Sequence, residues 1–134
     1  MRRLNVRLAQ LEQCIRLKKF ALSSKPQKPA LYPGEILLLS LVLQDAMRTG
    51  KASKRIEWCM KFDDLEEDVD GSKSREYWPS ENRTWQWILN CFEVRRVARP
   101  FSLSDLKLSK DYGGQDNPRT ISRDDEPVIL PYLF

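Results

Sequence analysis

No residue of this 134-residue chain is a histidine, and that absence removes Ser-His and Cys-His nucleophile pairs and imidazole-ligated metals in one step. The three cysteines, Cys14, Cys59 and Cys91, are widely spaced in apolar contexts with no CxxC pair. They read as buried thiols in a reducing cytoplasm rather than a disulfide framework or a zinc site. The chain has no Gly-rich phosphate loop, no carboxylate pair at a catalytic spacing and no nucleophile beside a base. What remains is the chemistry of binding, carried by aromatic rings, guanidinium groups and a few carboxylates, with no cofactor or metal required.

The aromatics concentrate in "SREYWPSENRTWQWIL", Ser74 to Leu89, with three of the four tryptophans and Tyr77. Trp85 and Trp87 have the i, i+2 spacing that puts both on one face of a strand, where packing is their expected role, as it is for Trp58. Trp78, in "EYWPS", falls outside any periodic pattern and is followed by Pro79. A large ring in a loop is a ligand platform more often than one in a strand, with core packing as the alternative. Among cations, "RRVAR" supplies Arg95, Arg96 and Arg99, whose planar forks match phosphate oxygens; a solvated strand end is the plainer reading. "SRDD" sets Arg123 beside Asp124 and Asp125.

Charge is unevenly spread. Residues 1–55 hold twelve Lys/Arg against Glu12, Glu35 and Asp45, whereas residues 57–81 hold nine Asp/Glu against Lys61, Lys73 and Arg75. The first part suits a polyanion and the second repels one, although a net charge of +4 is equally explained by an ordinary solvated surface.

The elements that must position these residues follow from periodicity. A chain of this length builds one domain, residues 1–134, and no apolar run approaches a membrane span. The first residues lack the apolar core and cleavage site of a signal peptide. Alternation at Leu4, Val6 and Leu8 predicts a strand, followed by a helix over Gln10 to Lys18 and a short strand over Phe20 to Leu22. "SSKPQKPALYPG" reads as a loop, "EILLLSLVL" as a central strand, and "QDAMRTG" as a helical turn ending at Gly50. "KRIEWCMKF" alternates as a one-sided strand, an acidic loop closes at Gly71, and "RTWQWILNCFEVRRVARPF" forms the longest strand, ended by Pro100. "SLSDL" gives a short capped turn, and the remainder is turn-rich with one terminal apolar run. The class is α+β: a small curved mixed β-barrel of about five to six strands flanked by short helices.

Three stretches, "LEQCIRLKKFALSS", "SREYWPS" and "TWQWILNCFEVRRVARPFSLSDL…NPRTISRDDEPVILPYL", resemble the YTH and EVE domains of the PUA-like superfamily in order and separation. The resemblance implies a curved barrel that holds one modified base in an aromatic cage. It implies Phe20 as the first cage ring, where a Trp is more usual, Trp78 as the second with Tyr77 beside it, and Asp124 as the hydrogen-bonding position for the base edge. Asn5 is the possible match for a polar residue near the first strand. Arg123 is implied as a phosphate contact, supported by Arg95, Arg96 and Arg99. Such a site supplies what a flipped base needs: π-stacking worth about 1–3 kcal/mol per base, an acceptor for an exocyclic N–H, and cations for the backbone.

The function that follows is a reader of a methylated or otherwise modified base, in DNA first, in a prokaryotic defence or restriction setting, alone or beside a nuclease or NTPase partner. An RNA-binding YTH-like domain is the alternative of the same fold. A nucleoside hydrolase resembling the ASCH domains stands lower, since their glycine, lysine, glutamate, arginine motif is not recognisable here. An interaction domain without a pocket is the reading that full burial of Trp78 favours.

Overall fold

The computed structural model describes residues 1–26, 30–51, 54–114 and 117–134; parts of the expected Ser23–Gly34 loop and of the turn-rich C-terminal stretch lie outside them. The apolar run at its centre forms β3 (Ile36–Leu41), flanked by β1 (Arg2–Val6) and β4 (Arg55–Glu67). β1 pairs with β3 in parallel, Leu4 opposite Leu39, so a crossover must separate them in sequence. That crossover contains α1 (Leu8–Leu17) and β2 (Lys19–Leu22). β4 pairs antiparallel with both β3 and β5 (Trp87–Ser102), β2 pairs with β5, and β6 (Arg119–Thr120) pairs with β1. The order is β2-β5-β4-β3-β1-β6.

The architecture is therefore α+β, as the class expected: the described residues form a six-stranded mixed sheet with four short helices. The sheet does not close into the expected barrel. Its edge strands are too short: β2 pairs only with β5 through Lys19 to Leu22, and β6 meets β1 only at Arg2 and Arg3. No ladder joins β2 to β6.

Why "ILLL" can be apolar throughout is visible in the two cores. Leu37 and Leu39 join Leu4, Val6, Phe20, Met60, Trp78 and Leu89 in one cluster, whereas Leu38 joins Ile56, Val97, Phe101, Ile129 and Leu133 in the other. Alternate residues of a strand point to opposite faces, so a strand buried on both loses the polar half of its pattern. α1 serves the first cluster through Leu11 and Cys14; α4 (Glu126–Leu133) serves the second. Among the described residues no helix is long and apolar enough to cross a membrane.

Several elements differ from the sequence expectation: β4 is not one-sided, since Ile56 and Cys59 enter the second core and Met60 and Phe62 the first, and Trp85 lies just before β5 rather than in it. The acidic stretch is not a loop from its start: β4 continues through Asp63 to Glu67, with Asp64 opposite Asn90 and Glu66 opposite Ile88. Its acids face solvent or pair, as when Asn90 Nδ2 donates to Asp64 Oδ1 at 2.7 Å. β5 runs through Pro100 rather than ending there. Its residues 97–100 have no partner on β4, because the register shifts between Ile56–Phe101 and Trp58–Arg96, so proline costs no ladder bond. "EYWPS" belongs to a helix end, since Trp78 is the C-cap of α3 (Ser72–Tyr77).

Gly71 opens α3 at φ +78°, and a Cβ there would lie 2.6 Å from Thr84 Cγ2. Gly71→Ala combines left-handed strain with a clash, so it is expected to destabilise the protein by about 1–3 kcal/mol, read as a lower urea midpoint at unchanged slope.

Candidate functional site

The residues expected to form an aromatic cage are placed in two separate neighbourhoods. Trp78 is 1% exposed and Phe20 4% exposed, both in the first core cluster with Tyr77 packed against it, so at Trp78 the burial expected of an interaction domain without a cage is what is found. The Trp78 ring meets Tyr77 edge-on at 5.8 Å between centroids and Trp85 at 5.5 Å. Burial pushes the Cys14 thiol up to about 12, with Trp78 opposing the rise. The indole N–H has no hydrogen-bond partner; the Cys14 sulfur beside it is too weak an acceptor to satisfy it. Between Phe20 and Trp78 a base can enter only if this core opens. Tyr77 carries the Lys19 ammonium 4.8 Å above its ring.

Asn5 is occupied by its own fold. Its backbone N–H donates to Asn117 Oδ1 at 3.1 Å, its carbonyl accepts from Asn117 Nδ2 at 2.9 Å, and its side chain bonds Gly114 O and Ser40 Oγ. Arg123 and Asp124 are exposed in the turn before α4. The next residue, Asp125, belongs to the second neighbourhood through Ser109 and the Tyr112 hydroxyl. The structure thus brings Phe20, Tyr77 and Trp78 together, and leaves Arg123, Asp124 and Asn5 apart from them.

Strand alternation also splits the arginine cluster. Arg95 lies 5.0 Å from the Phe134 ring centroid and Arg99 4.6 Å from that of Tyr132, with Arg99 Nη2 donating to Pro131 O. These two hold α4 to the sheet. Arg96 points the other way and stacks 4.9 Å over Trp58, its cross-strand partner.

Trp58, half-buried beneath Arg96, borders two cavities. Trp58 lines a groove of about 600 Å³ with Leu8, Leu11, Glu12, Ile15 and Arg16 of α1. Leu8, Leu11 and Trp58 also wall a narrower recess of about 60 Å³, whose other lining includes Val6, Leu39, Leu41, Ala46, Lys51, Arg55 and Glu57. The recess is anchored at both helix starts: Asp45 of α2 (Leu43–Arg48) accepts the Leu8 N–H at 2.8 Å, fixing α2 against the first turn of α1. Glu57 accepts from Lys51 Nζ at 2.8 and 2.9 Å and from Arg55 Nε at 3.0 Å. Burial works against its ionisation, but these cations outweigh it and hold the carboxyl below the ordinary range.

Sequence periodicity assigns Trp58 to packing, and its ring does pack against the first core cluster while also lining the groove. Compared with known proteins, the chain matches no protein-family model and no curated protein at a significant level.

Proposed function

We propose that this chain is a nucleic-acid-binding module that reads one flipped, modified base, in DNA by preference, with the base stacked against Trp58 in the groove under α1. The observation that supports it is the half-buried Trp58 ring in the wall of an open groove that Arg16 also lines, with Arg96 stacked over that ring and Lys51 and Arg55 lining the recess that shares Trp58 with the groove. Stacking on an aromatic ring contributes about 1–3 kcal/mol per base and helps offset the few kcal/mol of extruding it. The cations attract the phosphates on either side. The mixed sheet is taken in this reading as PUA-like, left unclosed at β2 and β6. The class of ligand is the one the resemblance implies; the seat moves from Phe20 and Trp78, which form the core wall behind α1, to Trp58. A cytoplasmic role in recognising modified DNA, alone or with a nuclease or NTPase partner, follows from the same resemblance.

Fluorescence anisotropy with short oligonucleotides tests the reading. Trp58→Ala is expected to weaken binding at least about tenfold, the equivalent of 1.4 kcal/mol of lost stacking. Arg16→Ala is expected to lower the slope of log affinity against log salt by about one. Arg95→Ala, outside the groove, is the comparison variant with an unchanged slope. Wild-type affinity in Trp58→Ala rejects the assignment. Competition between matched DNA and RNA strands decides the polymer.

A further inference from the structure

We infer that Arg96 is an exchangeable cover over Trp58: it shields the open side of the ring in the free protein and leaves it for a ligand that carries a phosphate beside its flat ring, so the site selects nucleotides against bare nucleosides. The inference rests on the reading of the groove as a base site. Its ground is the placement of one guanidinium. Trp58 and Arg96 are cross-strand partners on β4 and β5, and the guanidinium carbon stands 4.9 Å from the centroid of the Trp58 ring. The half-buried ring packs its inner side on the first core cluster, and Arg96 is exposed, so the guanidinium lies on the solvent side. A base can stack there only when Arg96 leaves.

Little holds Arg96 in place. Among the described residues it makes no hydrogen bond and no ion pair besides its contact with the ring. Carboxylates along the same two strands are already engaged: Glu57 by Lys51 at 2.8 Å and Arg55 at 3.0 Å, and Glu93 by Lys61 at 3.0 Å. Arg99 of the same strand differs, since its Nη2 donates to Pro131 O at 3.1 Å. A solvent-exposed cation–π contact is among the weaker attractions open to a guanidinium, and a phosphate that accepts two parallel N–H bonds is among the stronger. A nucleotide therefore supplies both halves of an exchange: its base takes the ring and its phosphate takes the arginine. A nucleoside supplies only the first half and must displace the cation with no anion to receive it.

NMR titration tests this by following the Trp58 indole N–H signal, assigned by its absence from Trp58→Phe, with the four deoxynucleosides and their 5′-monophosphates as probes. In the wild-type protein at least one monophosphate is expected to bind tenfold or more tighter than its nucleoside. In Arg96→Ala the same nucleoside is expected to bind threefold or more tighter than it does to wild type, and the monophosphate more weakly. Arg16→Ala removes a groove cation and leaves the cover, so it is expected to weaken the monophosphate without strengthening the nucleoside. Thermal melting establishes that each variant is folded; should Arg96→Ala fail to fold, Arg96→Gln is read in the same way. Nucleoside affinity that falls or stays level when Arg96 is removed overturns the inference, as does equal wild-type affinity for nucleoside and monophosphate. Either result leaves the base seat standing, because the probes still bind at Trp58. A Trp58 signal that no probe moves, in wild type or in Arg96→Ala, rejects the base seat and the cover with it.

Discussion

Trp78→Ala is expected to destabilise the protein by about 3–5 kcal/mol, the cost of truncating a large core aromatic, and so to remove a large share of the 5–15 kcal/mol that typically holds a domain folded. The ring is buried to 1% exposure and packs edge-on against two other aromatics, so its removal leaves a cavity that Tyr77 and Trp85 fill only in part. Trp78→Phe keeps most of that packing and removes an N–H with no hydrogen-bond partner, so its loss is expected to be clearly smaller than that of the alanine variant. Urea denaturation of both variants gives the comparison. A Trp78→Ala protein with the wild-type midpoint but no affinity for a modified base identifies Trp78 as a wall of a binding cage and not of the core. Trp58→Ala should show the opposite pair of results, since Trp58 is only partly buried: modest loss of stability and large loss of binding.

The contrast between these two tryptophans shows what the sequence made legible. The periodic parts are readable: "EILLLSLVL" announces a central strand, and the α1–β2 succession falls within two residues of its expected place, because hydrophobic period is a local property. Trp78 was misleading because the absence of period was read as a loop. A helix as short as Ser72–Tyr77 cannot display a period, and its C-cap is buried with Trp85, just before β5, and with Cys14 of α1, which is distant in sequence. "RRVAR" looked like one patch because a line of text has no faces; the strand sends Arg95 and Arg99 to α4 and Arg96 to Trp58. The groove joins α1 and β4, and the recess adds α2, β1 and β3; no spacing within any one of them encodes that meeting.

Asp68→Asn is expected to lower stability at neutral pH by roughly 1.5–3 kcal/mol, the range for losing hydrogen bonds to a charged group, and the loss should shrink on acidification. Asp68 lies just beyond β4, buried, and receives the Lys73 N–H at 3.1 Å, the Ser74 N–H at 2.9 Å and the Ser74 hydroxyl at 2.7 Å. It serves as the cap of α3, which has none from its own first residue, because Gly71 carries no side chain. Ser74 Oγ also accepts the Trp85 N–H at 3.0 Å, so one carboxylate ties the end of β4 to α3 and to the approach of β5. Burial raises the carboxyl pKa, and the three donors more than offset it, leaving Asp68 below its ordinary 3.8. The folded state therefore favours the ionised form. Its contribution is complete above the unfolded-state value and disappears as pH falls from that value through the lower folded one. Asparagine keeps the shape but turns either an amide oxygen or an NH₂ toward three donors with no charge to hold them, so the variant lacks this pH dependence. Urea midpoints measured from pH 7 down to pH 3 should show the wild-type and Asp68→Asn curves converging. Parallel curves across that range would mean that the carboxylate does not organise α3, and that Trp78 is held in the core by packing alone.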